Sequence, residues 1–197
     1  MIAEFSVWKP KTKPKAVLVL TPPSQSDGRS DVKDLFWQNF AKDNNLAIVG
    51  CYFRDEIPTG IEEYADAIKG GKALLSYLAE HFGIPTPPVL LWGFSAGGQF
   101  NYEFACKYPE HTLAFVVNKG GIYYTALAPS ATRNVPGLFI VGAQDAKWRR
   151  DIVTGICGVN NAAGAQWSLV EEPYTGHSYG DSRHLGTAFF EEVLGGL

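Results

Sequence analysis

Short, unbroken apolar runs recur along the chain. Longer stretches between them repeat apolar residues every three or four positions. Ala16–Leu20, Leu46–Gly50, Val89–Trp92, Leu113–Val117 and Leu138–Val141 are rich in Val, Ile and Leu and lack polar alternation. Such runs mark strands buried on both faces of a parallel sheet. Gln166–Val170 reads as a further strand, and an edge strand is expected near Glu4–Val7. Helical patterns fall between these runs. Asp31–Asp43 places Val32, Leu35, Phe36 and Phe40 near one face. Glu62–Phe82 carries Ala65, Ile68, Leu74, Leu75 and Leu78. Gly70-Gly71 weakens the middle of that helix by up to about 1 kcal/mol per glycine. Ala96–Lys107 stops before Pro109, and Lys147–Asn161 and Arg183–Leu194 complete the set.

Alternating strands and helices predict an α/β fold, with a mostly parallel central sheet of about six to seven strands and helices on both faces. The chain, residues 1–197, is expected to be a single domain without a substantial lid or cap. In open α/β sheets, ligands bind at the carboxyl ends of the strands. Chemistry is therefore sought just after each apolar run.

Composition narrows the function classes. With 46% hydrophobic and 19% charged residues over 197 positions, the chain has the makings of a packed core rather than of a disordered segment. A net charge of −3 supplies no global basic field, so nucleic acid is not an expected partner. The purely apolar runs are at most five residues long, as in Ala16–Leu20, whereas a membrane-spanning helix needs about 20; no membrane partner is expected. Residues 1–15 contain no apolar core of a signal peptide, and the lysines from Lys9 to Lys15 read as a solvated loop. Cys51, Cys106 and Cys157 are odd in number and widely spaced, without zinc-type spacing. They read as small buried residues in a cytoplasmic protein, with some thiol sensitivity at Cys51 near the active face. Neither a P-loop nor a dinucleotide-binding glycine fingerprint is present.

One motif carries chemistry. Gly93-Phe94-Ser95-Ala96-Gly97 lies directly between a predicted strand and a predicted helix. This is G-x-S-x-G, in which a sharp turn presents a serine hydroxyl at a helix N-terminus above the sheet. The plainer reading is a serine in a glycine-rich structural turn.

With this motif the chain resembles the α/β-hydrolases. The run LWGFSAGGQF from Leu91 to Phe100 is similar to the elbow of small, lid-poor serine esterases of the dienelactone hydrolase and polyhydroxybutyrate depolymerase–feruloyl esterase-like group. The resemblance covers nearly the whole chain and implies a triad in the order serine, acid, histidine. Asp145, after the Leu138–Val141 strand, takes the acid position, or alternatively caps the helix behind it; Asp151 is the second candidate acid. Among the four histidines, His177 occupies the loop before the last helix, as Gly-His. His81 reads as a partner of a helix C-terminus, His111 falls in a loop on the lower face, and His184 falls within the last helix.

The resemblance also implies an oxyanion hole. Its first donor is the amide of Ala96, and the second comes from the loop after the first core strand. That loop, Thr21 to Gly28, departs from the His-Gly start of many relatives. Pro22 and Pro23 have no N–H, which leaves Ser24 first and Gln25 next. Tyr52, Phe53, Arg54, Phe94, Tyr123, Trp148 and Tyr179 fall at strand ends and are expected to line a substrate pocket. Arg54 or Lys119 is placed to meet a substrate carboxylate, or is a surface charge. The stretch from Asn118 to Pro136 is the longest irregular segment near the site and is too short for a helical lid.

The expected activity is hydrolysis of small-molecule or polymer-attached carboxylic esters through an acyl-enzyme, with no cofactor and no metal. A thioesterase, lactonase or peptidase would use the same parts, and a non-catalytic binding protein would keep the fold.

Overall fold

A computed structural model describes residues 2–54 and 67–196. The elements run β1 (Ile2–Trp8), β2 (Ala16–Thr21), α1 (Leu35–Asp43), β3 (Leu46–Arg54), α2 (Ala67–Phe82), β4 (Val89–Phe94), α3 (Ala96–Lys107), β5 (Thr112–Asn118), α4 (Ser130–Arg133), β6 (Gly137–Gly142), α5 (Lys147–Ala162), β7 (Ser168–Glu172) and α6 (Ser182–Gly195). The strands form one 7-stranded sheet in the order β1-β3-β2-β4-β5-β6-β7. β1 pairs antiparallel with β3, and the remaining pairings are parallel. The carboxyl ends of β2 to β7 therefore share one edge. No helix among the described residues is long and apolar enough to cross a membrane.

Unbroken apolar runs become buried strands because helices cover both faces. Successive residues of a strand point to opposite sides, so each run feeds two cores. Val17, Val19, Val49, Leu91, Phe115, Val117 and Phe139 pack on the side of α2, α3 and α5. Leu18, Leu20, Ile48, Leu90, Trp92, Val116 and Ile140 pack with Trp37, Phe40 and Phe190 of α1 and α6.

Three elements differ from the sequence expectation. The Asp31–Asp43 helix is broken into a 3-10 turn over Arg29–Lys33 and α1. Asp34 between them is extended, and its carboxylate caps α1 by accepting from Phe36 N–H at 2.9 Å. The break resets the helical phase, so Leu35 is exposed while Trp37 is buried. The Gln166–Val170 strand begins later, at Ser168, because Trp167 turns into the core and donates from Nε1 to the Val135 carbonyl at 2.9 Å. The stretch from Asn118 to Pro136 contains the short helix α4. In α2, Gly71 lies against the rings of Tyr108 and Phe104, where a Cβ would come within 2.6 Å and 2.9 Å; the glycine lets α2 approach α3. The start of the expected Glu62–Phe82 helix, with Ala65, lies outside the described residues.

Phe115 lies on β5, beside the central strand β4, fully buried, with edge-on contacts to Tyr102, Phe139 and Trp167. Phe115→Ala should lower unfolding free energy by about 3–5 kcal/mol. Urea unfolding measures this directly, and a loss under about 1 kcal/mol would mean the cavity closes by repacking.

Candidate active site

Strand β4 ends at Phe94 and α3 begins at Ala96, so one residue makes the turn. Ser95 adopts φ 54° and ψ −119°, a region that costs a residue with a side chain about 1–3 kcal/mol. Its surroundings leave no alternative. Ser95 N–H donates to the Asn118 carbonyl at 2.8 Å, and the Ser95 carbonyl accepts from Gln99 N–H at 3.2 Å. A Cβ on Gly93 would lie 2.2 Å from Thr21 Oγ1, and one on Gly97 would lie 2.1 Å from the Thr21 carbonyl oxygen. The buried Thr21 hydroxyl is 2.7 Å from Asn101 Oδ1 and 3.1 Å from the carbonyls of Trp92 and Gly97. Asn101 Nδ2 in turn donates to the Val116 carbonyl at 3.0 Å. The turn is thus fastened to both strands that flank β4.

The loops after β6 and β7 bring two more groups to the serine. His177 Nε2 lies 3.0 Å from Ser95 Oγ, and its Nδ1 lies 3.0 Å from Asp145 Oδ2. The second oxygen of Asp145 accepts from Ala146 N–H at 2.7 Å and pairs with the Arg149 guanidinium one helical turn on. Asp145 is buried. Burial alone would raise its carboxyl; the bonds from His177 and Ala146, with the charge of Arg149, outweigh it and hold the group below the usual carboxylate range. The imidazole is partly exposed and rests near Phe94, with ring centroids 4.9 Å apart. A serine hydroxyl, an imidazole and a carboxylate in line can move a proton off the hydroxyl.

Solved structures share this architecture over essentially their whole length. A protein assigned as a dienelactone hydrolase from Klebsiella pneumoniae subsp. pneumoniae aligns with TM-score 0.70 and 18% identity, over 100% of this chain and 99% of its own. Esterase PE8 aligns with TM-score 0.71 and 19% identity, over 96% of this chain and 99% of its own. YahD, solved with malic acid, aligns with TM-score 0.73 and 13% identity, over 98% of this chain and 100% of its own. The chain has the α/β-hydrolase fold. No protein-family model matches it, and no curated protein matches its sequence.

Within the α/β-hydrolase fold, the other expected site residues separate into two groups. Tyr179 stands beside Phe94 at 4.5 Å between ring centroids, completing an aromatic wall behind the imidazole. Trp148 is exposed next to the Asp145–Arg149 pair, with the guanidinium 4.5 Å from its ring centroid. Ala96 opens α3, and Ser24 and Gln25 lie exposed after β2. Tyr52 sits under Arg29 and Arg54 ends β3, both two strands away from β4.

Four expectations are corrected. Phe53 is not a pocket wall; its ring is buried, stacked on Phe100 at 4.7 Å, because odd positions of β3 face the core shared with α2 and α3. Tyr123 also turns inward, edge-on to Tyr102 at 5.3 Å, with its hydroxyl buried. Lys119 cannot meet a substrate, since it is fully buried and paired with Glu172. Cys51 is fully buried, and burial pushes its thiol up, so it is shielded from thiol reagents. Asp151 is exposed and pairs with Lys147 at 2.6 Å, away from the histidine. The α5 N-cap is Ala146, with no side-chain cap, so the Asp145 carboxylate is left to His177, Ala146 N–H and Arg149.

The sequence signal for Arg149 is its place four residues after Asp145, in the first turn of the predicted Lys147–Asn161 helix. Thr21, Asn101 and Gln99 gave no sequence signal. Gln99 Oε1 accepts from the N–H groups of Gly121 and Ile122 at 3.0 and 3.1 Å and fixes the loop after β5.

Because the folded Asp145 carboxyl is depressed, its contribution to stability is present above the unfolded value of about 4 and disappears as pH falls through the folded value. The stability advantage of wild type over Asp145→Asn should shrink as pH falls below about 5 toward the folded value. A gap that stays constant with pH would contradict an ionised, partnered Asp145.

Proposed function

We propose that the chain hydrolyses carboxylic esters through an acyl-enzyme. One observation carries the reading: the relay from Ser95 Oγ through His177 to Asp145, with both steps at 3.0 Å. His177 Nε2 accepts the Ser95 proton as Oγ attacks the ester carbonyl, while Nδ1–H donates to Asp145 and keeps the tautomer. The oxyanion that forms takes a hydrogen bond from Ala96 N–H. As the first residue of α3, Ala96 belongs to the turn whose N–H groups lack intrahelical acceptors and which carries the positive end of the helix dipole. Ser24 supplies the second donor, with Gln25 as the other choice from the same loop. Collapse expels the alcohol, which takes the proton from His177. Water then gives a proton to His177 and attacks the acyl-serine; collapse releases the acid as His177 returns the proton to Ser95 Oγ.

Phe94, Tyr179 and Trp148 offer apolar surface near the reacting centre. The chain acts as one catalytic domain on small or polymer-attached esters. The names of the structural neighbours, an esterase and a dienelactone hydrolase among them, support an ester or lactone over a peptide substrate.

Ser95→Ala should lower kcat on p-nitrophenyl acetate, butyrate and octanoate by about 10³-fold or more, with an unchanged melting temperature. Wild type should be labelled by a fluorophosphonate probe at Ser95. Equal turnover by the variant would refute Ser95 as nucleophile, and an unlabelled wild-type Ser95 would favour a binding protein on this fold.

A further inference from the structure

Nucleophile and base stand on different strands, so something must set the distance between them. The candidate is a buried polar cluster at the end of β5. The Asn118 carbonyl accepts the Ser95 N–H at 2.8 Å. Asn118 Nδ2 donates to Ser182 Oγ at 2.7 Å, and Asn118 Oδ1 accepts from Lys119 Nζ at 3.0 Å. Lys119 Nζ also donates to Glu172 Oε2, and Glu172 Oε1 accepts from Asp181 N–H at 2.6 Å. Asn118, Lys119, Glu172 and Ser182 are all buried.

The chain positions of these groups give the cluster its meaning. Glu172 is the last residue of β7, Asp181 is the N-cap of α6 and Ser182 its first residue. They are the two feet of the loop that carries His177. One carboxylate clasps both feet, and one lysine fastens that carboxylate to the residue that holds Ser95. Lys119 itself is in the left-handed region, at φ 52°. A lysine placed there, with its ammonium fully out of water, is an expensive way to join two loops unless their separation matters.

We propose that Lys119 and Glu172 are positioning residues that set the spacing of His177 and Ser95. They act through the feet of the histidine loop and touch no substrate. The proposal rests on the reading of His177 as the base.

Two variants and their combination test it. Lys119→Met and Glu172→Gln each strand a buried charge or a buried donor, so both should unfold more readily. The double variant Lys119→Met/Glu172→Gln removes both charges and keeps an acceptor for Asp181 N–H, so its stability should recover toward wild type. Its kcat for a p-nitrophenyl ester should nevertheless stay about 10- to 100-fold down, with KM unchanged, because the loop is no longer fastened to β5. The low-field proton resonance of His177 Nδ1, identified by its absence in His177→Gln, should broaden or vanish in the double variant. A kcat that recovers together with stability, or an unaltered resonance, overturns the proposal. If wild type itself turns over no ester, the esterase reading fails, and the resonance still decides whether the cluster holds His177.

Discussion

Ser95 combines φ 54° with ψ −119°, a backbone region that a residue with a side chain keeps only where the surrounding structure over-determines it. That constraint at Ser95 organises much of the molecule. It demands a strand on each side of β4 close enough to grip the turn, and β2 and β5 provide them through Thr21 and Asn118. The grip in turn forbids side chains at Gly93 and Gly97. The strain is opposed by burial throughout the sheet, which is close to fully apolar on both faces of its central strands. The strained serine and the apolar sheet are thus parts of one design, in which the sheet's rigidity stabilises a conformation that the peptide alone would abandon.

The same edge of the sheet gathers the rest. Parallel strands release their loops on one side, so residues distant in sequence meet there without any long excursion of the chain. Ser95 follows β4, Asp145 follows β6 and His177 follows β7. Each loop is restrained by backbone bonds to its neighbour, as where Ala143 N–H donates to the Glu172 carbonyl at 3.0 Å and Gln144 N–H to the Thr175 carbonyl at 2.9 Å.

The parts legible in the sequence were those governed by local or periodic physics. Seven strands and the main helices could be read because both-face burial leaves unbroken apolar runs. Ser95 could be read because the elbow's glycines are obligatory. Asp145 and His177 followed from the order of the triad in a resembling family rather than from the residues themselves. Side-chain direction was less accessible. Phe53 and Tyr123 sit at strand ends that point toward the site in sequence, yet parity and loop packing turn both rings inward. Lys119 was the hardest, since lysines are rarely fully buried and its partner Glu172 is 53 residues away. The capping aspartate Asp34 split a helix whose apolar spacing looked continuous, because a favourable cap competes with continuation.

The pairing of Asp145 with Arg149 changes the charge inventory of the site. A lone carboxylate would bring a charge of minus one to the centre. Here the Arg149 guanidinium offsets the Asp145 carboxylate, and the pair sums to zero. On the proposed esterase reading this bears on the second half of the cycle, when a carboxylate product would leave. The Asp145–Arg149 pair adds no net negative charge against that departing anion.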